Sequence, residues 1–223
     1  MIESETSDHR DGMAAALAGN LITSIVLAGG TGTRLGKNKL LEVVGGRPLL
    51  QRVIDSLTPV SRQILVVTGQ GQTRPGFQVA QTTILVIPDV YPQKGPLSGI
   101  YTGLSASETR HSLVVAADMP FLNSGLLQHL SSSSTGYDVI MPRINGLIQP
   151  LHAVYSRRCL PAIHEQLQRS QLQVRVFLDR IRVRYIEEAE IDRFDPRRLS
   201  FFNVNTPDDL EEARDIAAGM GSS

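Results

Sequence analysis

A glycine-rich loop with three basic residues follows the first apolar run of the chain and constrains its fold more than any other feature. The run Ile22 to Leu27 is predicted to be a buried strand, and residues 27 to 39 read LAGGTGTRLGKNK. Glycine lets a backbone approach a ligand closely, and successive backbone N–H groups in such a loop form a concave anion site. With the positive charges of Arg34, Lys37 and Lys39, this loop is suited to binding the phosphates of a nucleoside triphosphate.

The loop matches neither of two well-known phosphate-binding motifs. A Walker loop needs G-x-x-x-x-G-K-[ST], but Thr31 stands at its first glycine and Asn38 at its Ser or Thr. The dinucleotide fingerprint G-x-G-x-x-G fails because its third glycine falls on Leu35. The pattern that fits is L-A-G-G-x-G-x-R-[LM]-G-x-x-K, which is typical of nucleotidyltransferases. An ordinary glycine-rich turn is the alternative.

The balance of charges and the cysteine content exclude several classes of protein. The chain has 22 basic and 22 acidic residues among 223, which does not favour a surface for nucleic acid or membrane. One cysteine, Cys159, excludes an internal disulfide and fits a cytoplasmic location. We expect residues 1 to 20, which are polar and irregular, to form a flexible tail, and residues 21 to 218 to form a single domain.

Strand and helix patterns alternate along the chain, which predicts a three-layer α/β/α, Rossmann-like fold with a mostly parallel sheet. In such sheets, ligands bind beyond the carboxyl ends of the strands. The polar residues at predicted strand ends are Asp89, Asp118, Asn203 and Asn205.

Asp118 is the best candidate for a metal ligand, because it closes an apolar strand predicted at residues 113–117. Mg²⁺ usually takes one or two carboxylates together with substrate phosphates and water. A turn-forming aspartate before Met119 and Pro120 is the alternative, but a phosphate-binding loop in the same chain favours the metal. The five histidines show no metal-ligand spacing, and His152 is expected to be a packed residue, or one that supports a site residue, rather than a metal ligand.

Further segments accompany the glycine loop: GGRP at 45–48, GPLSG at 95–99, ADMPF at 117–121, PLHAVY at 150–155 and NVNTPDDL at 203–210. Together with the loop, they resemble the molybdenum cofactor guanylyltransferases, a family of nucleotidyltransferases, over about residues 22 to 215. The loop is shared with many nucleotidyltransferases, whereas the segment 203–210 is far more specific.

The resemblance implies an Mg²⁺-dependent transfer of GMP from GTP to the terminal phosphate of molybdopterin, with release of pyrophosphate. The implied site residues are Leu27, Ala28, Gly29 and Gly30 for backbone contacts with the nucleotide, Arg34 and Lys39 for its phosphates, Asp89 for the guanosine, Asp118 for Mg²⁺, and Asn203 and Asn205 for the pterin. Of these, Lys39, Arg34 and Asp118 would be catalytic. Molybdoenzyme apoproteins and other proteins of cofactor biosynthesis are further expected partners, and neither nucleic acid nor a membrane is expected.

The expectation that a pterin accepts the GMP group rests on Asn203 and Asn205. A short strand is predicted at residues 201–204, on which Asn203 and Asn205 would point to one face and Val204 into the core. Two amides on one face suit a planar ligand rich in hydrogen-bond donors and acceptors, such as a pterin. Capping of the helix that begins near Thr206 by one of the amides is the alternative.

Other functions remain open from the sequence. A cytidylyltransferase acting on the same pterin would look similar, because the sequence separates GTP from CTP poorly. A sugar-phosphate or other small-acceptor nucleotidyltransferase is not expected to carry residues 203–210 as they stand. A non-catalytic chaperone that carries the cofactor is disfavoured by the presence of both Lys39 and Asp118.

Overall fold

The computed structural model of the chain describes residues 21–29, 39–71 and 82–221. Its strands are β1 (Ile22–Leu27), β2 (Val43–Val44), β3 (Arg47–Pro48), β4 (Ser61–Thr68), β5 (Thr83–Pro88), β6 (His111–Ala116), β7 (Val139–Ile144), β8 (Leu147–Ile148), β9 (His152–Ser156) and β10 (Val183–Ile186). Its α-helices are α1 (Leu49–Leu57), α2 (Gly95–Ala106), α3 (Ser124–Ser132), α4 (Leu160–Gln168), α5 (Arg175–Leu178), α6 (Glu188–Ile191) and α7 (Pro207–Met220). The predicted tail, residues 1 to 20, lies outside the described residues.

The main sheet has the strand order β10-β7-β9-β6-β1-β4-β5, and β8 extends it by pairing with β7. Strand β1 runs parallel to both β4 and β6, β4 runs parallel to β5, and β7 runs parallel to β10. Strand β9 is antiparallel to β6 and β7. The predicted fold class, α/β with a mostly parallel sheet, is therefore confirmed, and the carboxyl ends of β1, β4, β5 and β6 share one edge.

Helices cover both faces of this sheet because apolar residues alternate along its central strands. Val26 belongs to a buried cluster with residues of α1 and α3, whereas its neighbour Ile25 belongs to a second cluster with residues of α2 and α4. A smaller cluster joins Val204 to β2 and α7. No helix within the described ranges is long and apolar enough to cross a membrane.

Helix α2 packs closely against β1 because two of its three glycines face that strand. A Cβ atom at Gly103 would overlap the side chain of Ile25, and one at Gly99 would lie 3.0 Å from Leu27 Cδ2. This close packing sets the position of the first turn of α2 at the carboxyl edge of the sheet.

The strand predicted at residues 201–204 is wrong. Leu199–Phe201 instead forms a 3-10 helix, because the Asp195 carboxylate accepts hydrogen bonds from the backbone N–H groups of Leu199 (3.1 Å) and Ser200 (2.7 Å). The following segment is extended but does not pair with a described strand. The N–H of Val204 donates to the carbonyl oxygen of Asp118 at 3.0 Å. The chain is thereby tied to the end of β6.

Candidate active site

Three side chains that are far apart in the sequence meet at the carboxyl edge of the sheet. Lys39 Nζ donates to Asp118 Oδ2 at 2.7 Å and to Asn205 Oδ1 at 3.0 Å. Asp118 follows β6, Lys39 begins the 3-10 helix Lys39–Leu41, and Asn205 precedes α7. The side chains of Lys39 and Asp118 are 14% and 20% exposed, so the ion pair is largely shielded from water. The structure thus brings together three of the residues predicted from sequence.

The surroundings of Asp118 fit a divalent cation. Its second oxygen, Oδ1, is buried and has no hydrogen-bond partner within the part of the chain that the structure describes. A buried oxygen without a partner is costly, and a cation would satisfy it. The described residues contain no group of three or more His, Cys, Asp or Glu that could hold a metal. A single carboxylate completed by phosphate oxygens and water is an arrangement that Mg²⁺ commonly takes.

The start of the glycine loop is fixed by the neighbouring strands. The N–H of Ala28 donates to Val67 O at 2.8 Å, and Leu27 O accepts from the N–H of Ala117 at 3.1 Å. A Cβ atom on Gly29 would lie 3.1 Å from the backbone nitrogen of Gly69, so the segments that follow β1 and β4 lie close together and would have to shift by a few tenths of an ångström to admit a side chain. The predicted residues Gly30 and Arg34 lie outside the described residues.

Asp89 lies at the end of β5, as predicted, and its carboxylate organises the turn that leads into α2. Its Oδ1 accepts from the N–H of Tyr91 (3.0 Å) and the hydroxyl of Thr102 (2.8 Å), and its Oδ2 accepts from the hydroxyl of Ser98 (2.6 Å). Sequence reasoning missed this role. The available signal was the spacing of Ser98 and Thr102, which places both hydroxyls on one face of a helix.

The two asparagines have different partners. Asn203 Nδ2 donates to Phe201 O at 3.0 Å, whereas Asn205 Oδ1 accepts from Lys39 Nζ. Because the predicted strand does not form, the argument that the two amides share one face of a strand no longer applies. Helix α7 is capped by the hydroxyl of Thr206 and not by an asparagine side chain.

A buried histidine supports the segment that leads to these asparagines. His152 Nδ1 lies 3.2 Å from Ser200 O, and its ring centroid lies 4.7 Å from that of Phe201. Burial lowers the pKa of His152 to about 4, so the imidazole is neutral at pH 7. The structure agrees with the expectation of a packed histidine.

Comparison with known proteins shows which family the chain matches. Residues 24–184 match the MobA-like NTP transferase domain. The probable molybdenum cofactor guanylyltransferase of Pelotomaculum thermopropionicum is 37% identical over 195 residues, which are 87% of this chain and 93% of the relative. The molybdenum cofactor guanylyltransferase of Desulfosudis oleivorans is 31% identical over 86% of this chain and 94% of its own length.

A solved structure shows the same fold. The molybdopterin-guanine dinucleotide biosynthesis protein A of Archaeoglobus fulgidus superposes with a TM-score of 0.74 and 27% sequence identity. The superposition covers 89% of this chain and 100% of that protein.

Proposed function

Because this chain belongs to the MobA-like NTP transferase domain family, we propose that it transfers GMP from GTP to the phosphate of molybdopterin, in its molybdenum-bound form, and releases pyrophosphate. The observation that carries the proposal is the meeting of Lys39, Asp118 and Asn205 at the carboxyl edge of the sheet. The names of the relatives support GTP as the nucleotide and the molybdenum cofactor as the acceptor.

The chemistry needs positioning and charge neutralisation more than a protein nucleophile. An oxygen of the pterin phosphate attacks the α-phosphorus of GTP, and the bond from that phosphorus to the bridging oxygen of pyrophosphate breaks. The attacking phosphate is already anionic, so no general base is required. The site must hold the negative charges of two phosphate-bearing substrates close to each other.

Lys39 and Asp118 are suited to this task in different ways. The Asp118 carboxylate would hold Mg²⁺, which would offset the negative charge of the phosphates. The ammonium group of Lys39 is a compact point charge on a flexible stem and would donate to the phosphates. Arg34 and the backbone from Leu27 to Gly30 would hold the rest of the triphosphate.

The remaining residues would set which molecules bind. Asp89 would lie near the guanosine, with its turn already shaped by the hydroxyls of α2. Asn203 and Asn205 would lie on the side of the pterin. Molybdoenzyme apoproteins and other proteins of cofactor biosynthesis remain proposed partners, and the single Cys159 supports a reducing cytoplasm as the location.

The direct test is to measure pyrophosphate release with molybdopterin and each of GTP, CTP and ATP. We expect release with GTP to exceed release with the other two, and to require Mg²⁺. A preference for CTP would contradict the base assignment and leave a nucleotidyltransferase acting on the same pterin. Release with a sugar phosphate but not with molybdopterin would contradict the acceptor, and cofactor binding without pyrophosphate release would indicate a carrier protein.

A further inference from the structure

The ammonium group of Lys39 is held by two acceptors of different kinds. One is the Asp118 carboxylate, which supplies charge, and the other is the neutral amide oxygen of Asn205. A lysine side chain has a flexible four-carbon stem, so a single acceptor would leave Nζ free to swing about that contact. Two acceptors from separate elements confine it to one place.

Asn205 can act as a fixed acceptor because its own backbone is anchored on both sides. Its N–H and that of Thr206 both donate to Asp209 Oδ2 at 2.8 Å, and the N–H of Asp209 donates back to Thr206 Oγ1 at 3.1 Å. This is a capping box at the start of α7. On the other side, Val204 is fully buried and bonded to the backbone of Asp118.

The anchored helix is itself packed against the segment that follows Lys39. Leu210 and Ala213 of α7 are buried in one cluster with Val44 and Leu49. In addition, Arg214 Nε donates to Val43 O at 3.2 Å. Asn205 and the base of the Lys39 side chain therefore belong to one packed unit, and the distance between them is set by that packing.

We propose that Asn205 is a positioning residue that holds the Lys39 ammonium group against Asp118. The start of α7 would thereby determine the position of Lys39 Nζ, the charge that binds the phosphates. This inference rests on the proposed function for its catalytic meaning, and it gives Asn205 a role on the nucleotide side of the reaction in addition to its proposed place beside the pterin. A misplacement of about 1 Å costs roughly a hundredfold in rate, so an exact position for this charge matters.

The Asn205→Asp substitution separates this role from a direct one. It keeps an oxygen acceptor for Lys39 and removes the amide N–H donors that a pterin would use. If Asn205 acts through Lys39, Asn205→Asp retains the function that Asn205→Ala loses. If Asn205 acts by donating to the pterin, both substitutions lose it.

The first measurement needs no nucleotide or pterin. The rate of reductive methylation of Lys39 is followed by mass spectrometry in the ligand-free protein, with Lys94 as the internal reference. Lys94 Nζ donates to Ser170 Oγ, so its rate should not change. We expect Asn205→Ala to raise the rate at Lys39 roughly tenfold, the size expected for a hydrogen bond to a charged group, and Asn205→Asp to leave it near the wild-type rate.

Asn203→Ala is the matched control for this labelling, because the side chain of Asn203 bonds to Phe201 O and not to Lys39. An equal rate at Lys39 in wild type and Asn205→Ala would overturn the proposal. So would an equal increase in the Asn203→Ala variant, which would point to general loosening of the segment.

The second measurement tests whether the position of the Lys39 ammonium group affects nucleotide binding. We expect Asn205→Ala to weaken the binding of Mg²⁺–GTP roughly tenfold in calorimetry, which is more than it weakens the binding of molybdopterin, and Asn205→Asp to restore nucleotide binding. Loss of pterin affinity alone would overturn the proposal. If the wild-type protein binds no GTP, the proposed function fails, and the labelling rates still decide whether Asn205 positions Lys39.

Discussion

At the scale of single residues, the two carboxylate oxygens of Asp118 have unlike surroundings. Oδ2 accepts from Lys39, whereas Oδ1 is buried with no partner among residues 21–29, 39–71 and 82–221. Leaving a buried polar atom without a partner costs on the order of 1–3 kcal/mol. Such an arrangement favours ligand binding at the expense of stability, and it is the feature on which the proposed metal site depends.

The Asp118→Asn substitution keeps the shape of the side chain and removes its charge. We expect turnover to fall on the order of 10²–10³-fold, and additional Mg²⁺ to restore little of it, because a neutral amide is a much weaker ligand than a carboxylate. Steady-state rates across an Mg²⁺ titration measure this effect. Asp179→Asn, at an exposed position just beyond α5, is the control and should keep wild-type rates. An unchanged Mg²⁺ dependence in Asp118→Asn would show that the carboxylate only closes a turn.

The buried His152 makes the stability of the fold depend on pH. Its pKa of about 4 in the folded protein lies below the value of about 6.5 expected in the unfolded chain. Between these values the unfolded state binds the proton more tightly, so the free energy of unfolding should fall by about 1.4 kcal/mol for each unit of decreasing pH. Below the folded pKa this loss is complete.

Urea unfolding at several pH values between 4 and 7 measures the slope for His152. His152→Asn is the matched variant, because an asparagine can still donate to Ser200 O and does not titrate in this range. We expect the difference in stability between the two proteins to shift in favour of the variant as the pH falls. Parallel pH profiles would contradict a neutral, buried imidazole.

At the scale of secondary-structure elements, the contact between α2 and β1 depends on the absence of side chains at two glycines. Gly103 faces Ile25, and Gly99 faces Leu27 at the end of β1. The same helix carries the hydroxyl groups that bind Asp89. Close packing in the core therefore controls the position of a turn at the candidate active site.

The Gly103→Ala substitution should destabilise the protein by about 1–3 kcal/mol, because the added methyl group overlaps Ile25 in a closely packed core. Gly219→Ala is the control. It lies near the end of α7, where a Cβ meets nothing within 4 Å, so the higher helix propensity of alanine should stabilise the fold by at most about 0.5–1 kcal/mol. Equal effects of the two substitutions in thermal unfolding would contradict the assigned packing.

The sequence predicted the central elements well because their patterns are local. The apolar runs at residues 22–27 and 113–117 identified β1 and β6. The prediction of a strand at residues 201–204 was wrong for two reasons. The side chain of Asp195, a few residues upstream, bonds to the backbone and winds the chain into a 3-10 helix, and the next segment bonds to Asp118, which is distant in the sequence. For the second reason, the sequence placed Lys39, Asp118 and Asn205 at one edge but gave no sign of the bonds between them.

At the scale of the whole molecule, one sheet connects the two helical layers. The central strand β1 pairs with β4 on one side and β6 on the other, and its alternate residues enter different apolar clusters. The prediction of a single domain over residues 21 to 218 therefore leads to an expectation of one cooperative unfolding transition.

Cys159 provides a probe of that cooperativity. It is fully buried, and burial raises the pKa of its thiol to about 12, so a thiol reagent should react only after unfolding. We expect the urea midpoint for labelling of Cys159 to coincide with the midpoint for loss of helical circular dichroism. A labelling transition at lower urea would show that the side of the sheet covered by α4 unfolds separately.

The bond between Lys39 and Asn205 joins residues that are 166 positions apart. During synthesis, the glycine loop and the strands of the sheet leave the ribosome long before Asn205 and α7 do. A nascent chain therefore carries Lys39 without its second acceptor until Asn205 has been made. Full assembly of the three-residue cluster consequently waits for the start of α7, and a chain that stops before it lacks the contact that confines Lys39 Nζ.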